Sequence, residues 1–244
     1  MMSQMRARAL ISVAVLTAAC GSCRPASAPH AVAAPNKSGI AGHQLTSKAL
    51  LARARQRLEL GGYSEAAADF QALLSTPEGM SARLGLAEVW VTTGRSDDAL
   101  DVLTTLSETA LVAPAAVLRA RALQIRGDTA GAERALRAVP EDLASPAVRL
   151  ELGGLLLREG RRADAEPILM TLVNDYNEDR IKESDGKALA LAGRAAQLLR
   201  SPKDANELYD AAERALPGDT QTLLFRADLF LEKYDPGHAE EVLN

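Results

Sequence analysis

Small residues recur along most of this chain at a nearly fixed interval, and that periodicity restricts its fold more than any other feature. Ala66, Ala99, Ala132, Ala165, Ala205 and Ala239 are separated by 33, 33, 33, 40 and 34 residues. A second series lies twelve positions earlier: Ala54, Ala87, Ala120, Gly153, Gly193 and Ala227. A third follows the first by four positions: Phe70, Leu103, Leu136, Leu169, Tyr209 and Leu243. A period of this length marks a chain of stacked supersecondary units, none of which can bury its apolar face alone.

Within a unit, two helical stretches flank a short turn, as in Leu60-Gly61-Gly62-Tyr63, Thr93-Gly94-Arg95-Ser96, Arg126-Gly127-Asp128 and Glu159-Gly160-Arg161. Glycine just after a helical run supplies the left-handed cap that ends it. The small residue of the first helix and the Ala of the second mark where the two helices cross closely. The bulky residue one turn beyond that Ala fills the groove. Composition agrees: 47% of the residues are hydrophobic but only 3% aromatic, so the core is built from Ala, Leu and Val. Ala and Leu favour helix. The expected fold is all-α, an α-solenoid of stacked antiparallel helical hairpins with about six units, the last incomplete.

The unit resembles a tetratricopeptide repeat. Leu60-Gly-Gly-Tyr-Ser-Glu-Ala66-Ala-Ala-Asp-Phe70 is similar to the second-helix signature of that family, and Ala205 to Pro217 resembles the end of a unit, terminal Pro included. Ankyrin repeats share the period, but their Thr-Pro-Leu-His signature is absent. The units are read as 47–79, 80–112, 113–145, 146–185, 186–219 and 220–244. They depart from the family in mostly being 33 long, in keeping the first-helix aromatic mainly as Trp90 and Phe230, and in placing Pro167 in the first turn of a helix. The spacing of 40 implies about seven extra residues near Asn174–Gly186, lengthening a loop or a helix end. The sixth unit stops five residues past Ala239, without the polar cap that solenoids normally carry. The expectation is a fragment of a longer protein, or an end covered by an unusual cap or a partner.

The N-terminus reads as an address. Met1 to Arg8 is basic, and Ala9 to Ala19 is a short uncharged apolar run, below the roughly 18–20 residues that span a bilayer. Leu16-Thr17-Ala18-Ala19-Cys20 resembles the lipobox of bacterial lipoproteins, with Leu16 one position early. The resemblance implies a signal peptide over 1–19, cleavage before Cys20, and acylation of Cys20 as a stable lipid anchor. Gly21 after that cysteine resembles an outer-membrane sorting signal. Cys23 is a second candidate, and Ala26-Ser27-Ala28 offers an ordinary cleavage site, although Pro29 follows it. Residues 20–46 are rich in Ala, Pro, Ser and Gly and read as a disordered tether. The chain has no other cysteine, so no disulfide framework holds the repeats. Cys20-Gly-Ser-Cys23 has redox spacing but lacks the βαβ setting that redox chemistry needs.

Net charge argues against nucleic acid. Residues 1–46 hold Arg6, Arg8, Arg24 and Lys37 and no acid, leaving 28 − 4 = 24 basic against 32 acidic residues beyond, a balance of −8. Nucleic-acid binding needs cations that displace counterions. Catalysis and cofactors are also without a motif. His30, His43 and His238 are the only histidines, and one histidine among the repeats builds no nucleophilic triad. His238-Ala-Glu-Glu-Val242 lacks the second His of a zinc helix, and no phosphate-cradling glycine motif is present. Gly61-Gly62 and Gly153-Gly154 are read as capping and packing. Asp175-x-Asn177-x-Asp179 opens like a calcium loop, but Arg180 and Gly186 replace its Gly and Glu. The paired acids Asp97-Asp98 and Glu240-Glu241 are read as favourable charges at helix N-termini. No cofactor, metal, enzyme activity or small-molecule substrate is expected.

In the family, first helices line a groove. The resemblance implies groove contacts at Leu51, Arg55, Leu84, Glu88, Val117, Arg121, Gln124, Leu150, Leu157, Arg194, Gln197, Leu224 and Asp228. Apolar residues mixed with both charge signs suit a peptide or protein partner held by side-chain pockets. The expectation is a membrane-tethered interaction scaffold of the cell envelope, facing the periplasm. Two alternatives stay open: the N-terminal scaffold of a larger envelope enzyme such as a peptidase, and a soluble periplasmic chaperone or carrier.

Overall fold

The computed structural model describes residues 46–106, 108–233 and 235–243. Residues 1–19, read above as a signal segment, Cys20, read as a lipidation site, and the residues up to 45, read as a tether, lie outside them. Among the described residues there are twelve α-helices and no strand. They pair as α1 (Ser47–Glu59) with α2 (Tyr63–Ala72), α3 (Gly79–Thr92) with α4 (Ser96–Leu103), and α5 (Val112–Ile125) with α6 (Thr129–Arg137). The series continues with α7 (Pro146–Arg158) and α8 (Arg162–Asn177), α9 (Gly186–Leu198) and α10 (Pro202–Ala215), and α11 (Thr220–Glu232) and α12 (Pro236–Leu243). Each second helix from α2 to α10 also packs on the next first helix, and successive first helices touch from α1 to α11. The result is the expected α-solenoid of six helical hairpins. No described helix is long and apolar enough to cross a membrane.

The turns inside the hairpins repeat one geometry. Gly61, Gly94, Gly127 and Gly160 take φ between 76° and 80°. The next amide then reaches back five residues: Gly62 to the carbonyl of Arg57 at 2.8 Å, Arg95 to Trp90 at 2.7 Å, Asp128 to Leu123 at 2.9 Å and Arg161 to Leu156 at 2.9 Å. Positive φ costs a glycine nothing, and the reaching amide satisfies an orphan carbonyl at the helix end. In the fifth hairpin Arg200 takes this place at φ 64°, with the same bond from Ser201 to Ala196 at 2.9 Å.

All three repeat series sit in the core, with one exception. The second-helix Ala series is 0% exposed from Ala66 to Ala205 and 2% at Ala239. Its partners behave alike: Ala54, Ala87 and Ala120 are fully buried, Gly153 and Gly193 are buried, and Ala227 is 3% exposed. The close approach is literal at the glycines. A Cβ on Gly153 would lie 2.5 Å from Leu169, and one on Gly193 would lie 2.7 Å from the Tyr209 ring. Leu169 and Tyr209 belong to the third series, so the bulky residue of the second helix fills the hollow left by the glycine. Leu243, the sixth member of that series, is 53% exposed. The apolar clusters run from one hairpin into the next, as when Ala54, Phe70 and Leu86 pack together from α1, α2 and α3.

Two local expectations are corrected and a third is met. Helix α8 starts at Arg162, which puts Pro167 in the second turn rather than the first. There its missing N–H leaves the Ala163 carbonyl without the usual helical donor. Glu240 and Glu241 lie beyond the first turn of α12, so they gain little from its dipole, whereas Asp97 and Asp98 do lie in the first turn of α4. The extra residues of the fourth unit go to both places expected: α8 has 16 residues against 10, 8 and 9 in α2, α4 and α6, and a loop over 178–185 follows it.

Candidate functional site

Solenoid stacking places equivalent positions of successive first helices side by side. One such column reads Arg55, Glu88, Arg121, Gly154, Arg194 and Asp228, from α1, α3, α5, α7, α9 and α11. Charge alternates along it, with a gap at Gly154. At its far end two opposite members pair: the Arg194 guanidinium donates to the Asp228 carboxylate. At the gap the pairing shifts by one helical turn. Arg121 donates to Glu151 at 3.0 Å, Gln124 also donates to Glu151 at 3.2 Å, and Arg158 donates to the Gln124 side-chain carbonyl.

Glu88 is different. Its side chain is exposed, and no described residue gives it a hydrogen bond or ion pair. Its pKa is nevertheless raised, chiefly because surrounding protein displaces bulk water; Arg121 opposes the shift, Glu59 adds to it, and Arg55 and Lys187 oppose it. The charged groups acting on it come from α1, α5 and α9.

The expected groove residues divide into three sets. Arg55, Glu88, Arg121 and Leu224 are exposed, Leu224 to 55%. Leu51, Leu84, Leu150 and Leu157 are half-buried, their bodies packed on the cores beneath. Gln124, Arg194 and Asp228 are partly exposed but already engaged in the bonds above. Two are corrected. Val117 is 7% exposed and belongs to the core, because in α5 the apolar side chain at that column position packs between neighbouring hairpins. Gln197 is 5% exposed: its side-chain carbonyl accepts from the Tyr209 hydroxyl at 2.8 Å and its amide donates to Asp228 at 3.4 Å. It joins hairpins and is not free for a ligand.

Sequence reasoning missed Glu151, the hub of the α5–α7 ladder. A signal existed: it lies 30 residues after Arg121, one period less one turn, which brings opposite charges together on adjacent helices. It also misjudged Gly154. A Cβ there would meet only the Arg158 guanidinium at 3.5 Å, so packing does not require glycine.

The apparent calcium loop has another use. Asp175 accepts from Arg180 at 2.8 Å and from Arg149 at 3.5 Å, which fixes the end of α8. His238 holds Asp235 at 2.7 Å and stacks on Phe230 with ring centroids 5.5 Å apart. Among the described residues no His, Cys, Asp and Glu cluster suits a metal ion.

Comparison with known proteins supports the architecture. Residues 51–107 match the tetratricopeptide repeat family. A tetratricopeptide protein of the thermophile Thermus thermophilus is similar in structure, with TM-score 0.55 and 19% identity over 76% of this chain and 100% of that one. A chain of the APC/C hetero-tetramer Cut9–Hcn1 is similar at TM-score 0.51 and 20% identity, over 84% of this chain and 40% of that one. No curated protein matches the sequence. The repeat series, the capped turns and these likenesses agree: residues 51–107 match the tetratricopeptide repeat family, and the described chain has the fold of a tetratricopeptide solenoid.

Proposed function

We propose that the protein is a non-catalytic scaffold that holds a peptide or protein partner along its first-helix face and is tethered to a membrane of the bacterial envelope through acylated Cys20. The observation that carries the first half is the column of equivalent first-helix positions, where Arg55 on α1 and Glu88 on α3 are both exposed and hold no ion pair with a described residue. Free charges of both signs at Arg55 and Glu88 suit a polar extended chain, and the half-buried Leu51, Leu84 and Leu150, one helical turn before that column, offer apolar footing beside it. The tether half rests on the lipobox resemblance and on the Ala- and Pro-rich stretch before α1.

Arg55 is the proper probe, since Arg121 and Arg194 hold neighbouring hairpins together. Arg55→Glu is expected to weaken partner capture at least about tenfold, as losing a charge-assisted bond would, while leaving helicity unchanged. Capture at full strength by a folded Arg55→Glu chain contradicts the reading.

A further inference from the structure

The extra residues of the fourth unit build a cavity of about 870 Å³ against the C-terminal end of α10. Its walls come from the end of α8, the loop after it and α10, with Leu189 the only contributor from a first helix. It is therefore separate from the face proposed above.

The loop is fixed at both ends. Arg149 and Arg180 hold Asp175 at the start, and Arg180 also meets Glu178 at 2.7 Å. At the far end Asp185 caps α9 through the amide of Ala188 at 3.1 Å, and Gly186 lies so close to α10 that a Cβ would meet Leu216 at 2.6 Å. Between these anchors Ile181 packs onto the core. Asp179, in the loop just after α8, takes φ 55° and lines the cavity. Aspartate tolerates that conformation, but outside glycine it is uncommon. A cavity bounded by so constrained a loop is formed before any ligand arrives.

Its chemistry is unspent. Tyr176, Asn177, Asp179, Glu183 and Arg214 all line it, and no described residue pairs with any of their side chains. Arg149, Asp175, Glu178 and Arg180, by contrast, are used up in holding the loop. Both signs thus face one space, beside an apolar wall that includes Ile181 and Leu189. The volume falls in the range of about 300–1,000 Å³ typical of small-ligand sites.

We propose that this cavity binds a short peptide of two or three residues with both termini free. The Arg214 guanidinium takes the terminal carboxylate as a two-pronged donor. Asp179 and Glu183 take the terminal ammonium. The Tyr176 hydroxyl and the Asn177 amide serve the peptide link, and the apolar wall takes an aliphatic side chain. A single-sign ligand would leave one set of charges unpaired on losing water, which disfavours it.

The test is calorimetric titration of the full chain in detergent with the tripeptide Ala-Leu-Ala, its N-acetyl form and its C-terminal amide. The expected result is saturable binding by the free tripeptide, weakened at least about tenfold by either cap. Arg214→Gln should weaken the free tripeptide as much as the amide cap does, and the two changes together should cost no more than one, because they remove the same contact. Arg214 is exposed, so this variant is expected to keep its helicity. Arg55→Glu should leave tripeptide affinity unchanged even if it abolishes partner capture. No saturable heat up to several millimolar, equal binding of the capped forms, an unaffected Arg214→Gln chain, or loss of tripeptide binding on Arg55→Glu would each overturn the proposal.

Discussion

Two adjacent glycines in α7 carry opposite demands. Gly153 faces α8, where a Cβ would sit 2.5 Å from the fully buried Leu169. Gly153→Ala is expected to lower stability by about 1–3 kcal/mol, the usual cost of overpacking a core, measured by urea unfolding. Gly154 has room for a Cβ, so Gly154→Ala should raise stability by about 0.5–1 kcal/mol by relieving the backbone entropy of a mid-helix glycine. The residue scale also explains what the sequence could tell. Gly153 was legible because it falls in the small-residue series, whereas Gly154 has the same identity and a different cause. Arg200 hides a turn that glycine announces in the four preceding hairpins. Holding a non-glycine residue in the left-handed region costs roughly 1–2 kcal/mol, part of which glycine gives back as chain entropy, so Arg200→Gly should raise the unfolding midpoint.

Among the elements, α8 departs furthest from the repeat. Pro167 in its second turn removes one hydrogen bond and crowds the preceding turn, at a cost of about 3 kcal/mol in a helix interior. Pro167→Ala is expected to stabilise the fold by part of that amount; an unchanged or lower unfolding free energy would mean that the proline fits a bend the fold needs. The insertion was legible as an excess of residues, since the period counts them, but not as a cavity wall, because the pairings of Asp175 with Arg149 and Arg180 depend on three-dimensional placement. Glu88 on α3 gives the elements a pH signature. Its folded pKa lies above the ordinary value, so the native state holds the proton that the unfolded chain releases, and stability falls as pH rises from the ordinary glutamate range through the raised pKa. Glu88→Gln should flatten that slope, which denaturation at stepped pH would reveal; a slope of the opposite sign at Glu88 would place the carboxylate in a stabilising ion pair instead.

For the whole molecule, periodicity carried the architecture and side-chain pairing did not. The hairpins and their turns followed from three series of residue sizes, which stacking turns directly into buried positions such as Ala66 and Phe70. The groove was only partly legible: counting along the period puts Val117 and Gln197 in the same columns as exposed residues, but burial depends on the neighbouring hairpin, and Gln197 turns inward to Tyr209. The tether is a claim at this scale too. Cys20→Ala should move the protein from the membrane fraction to the soluble fraction, and a variant that still sediments with membranes would remove acylation at Cys20 from the account. The central claim is that the first-helix face holds a partner, and it is tested most directly by site-specific photocrosslinking in cells. A benzoylphenylalanine would replace Arg55 on that face or, as a control, Arg134, which is exposed on the second helix α6. The account predicts a discrete crosslinked adduct from position 55 and none from position 134. Adducts equal at both positions, or absent from position 55 in a folded and membrane-bound chain, would contradict it.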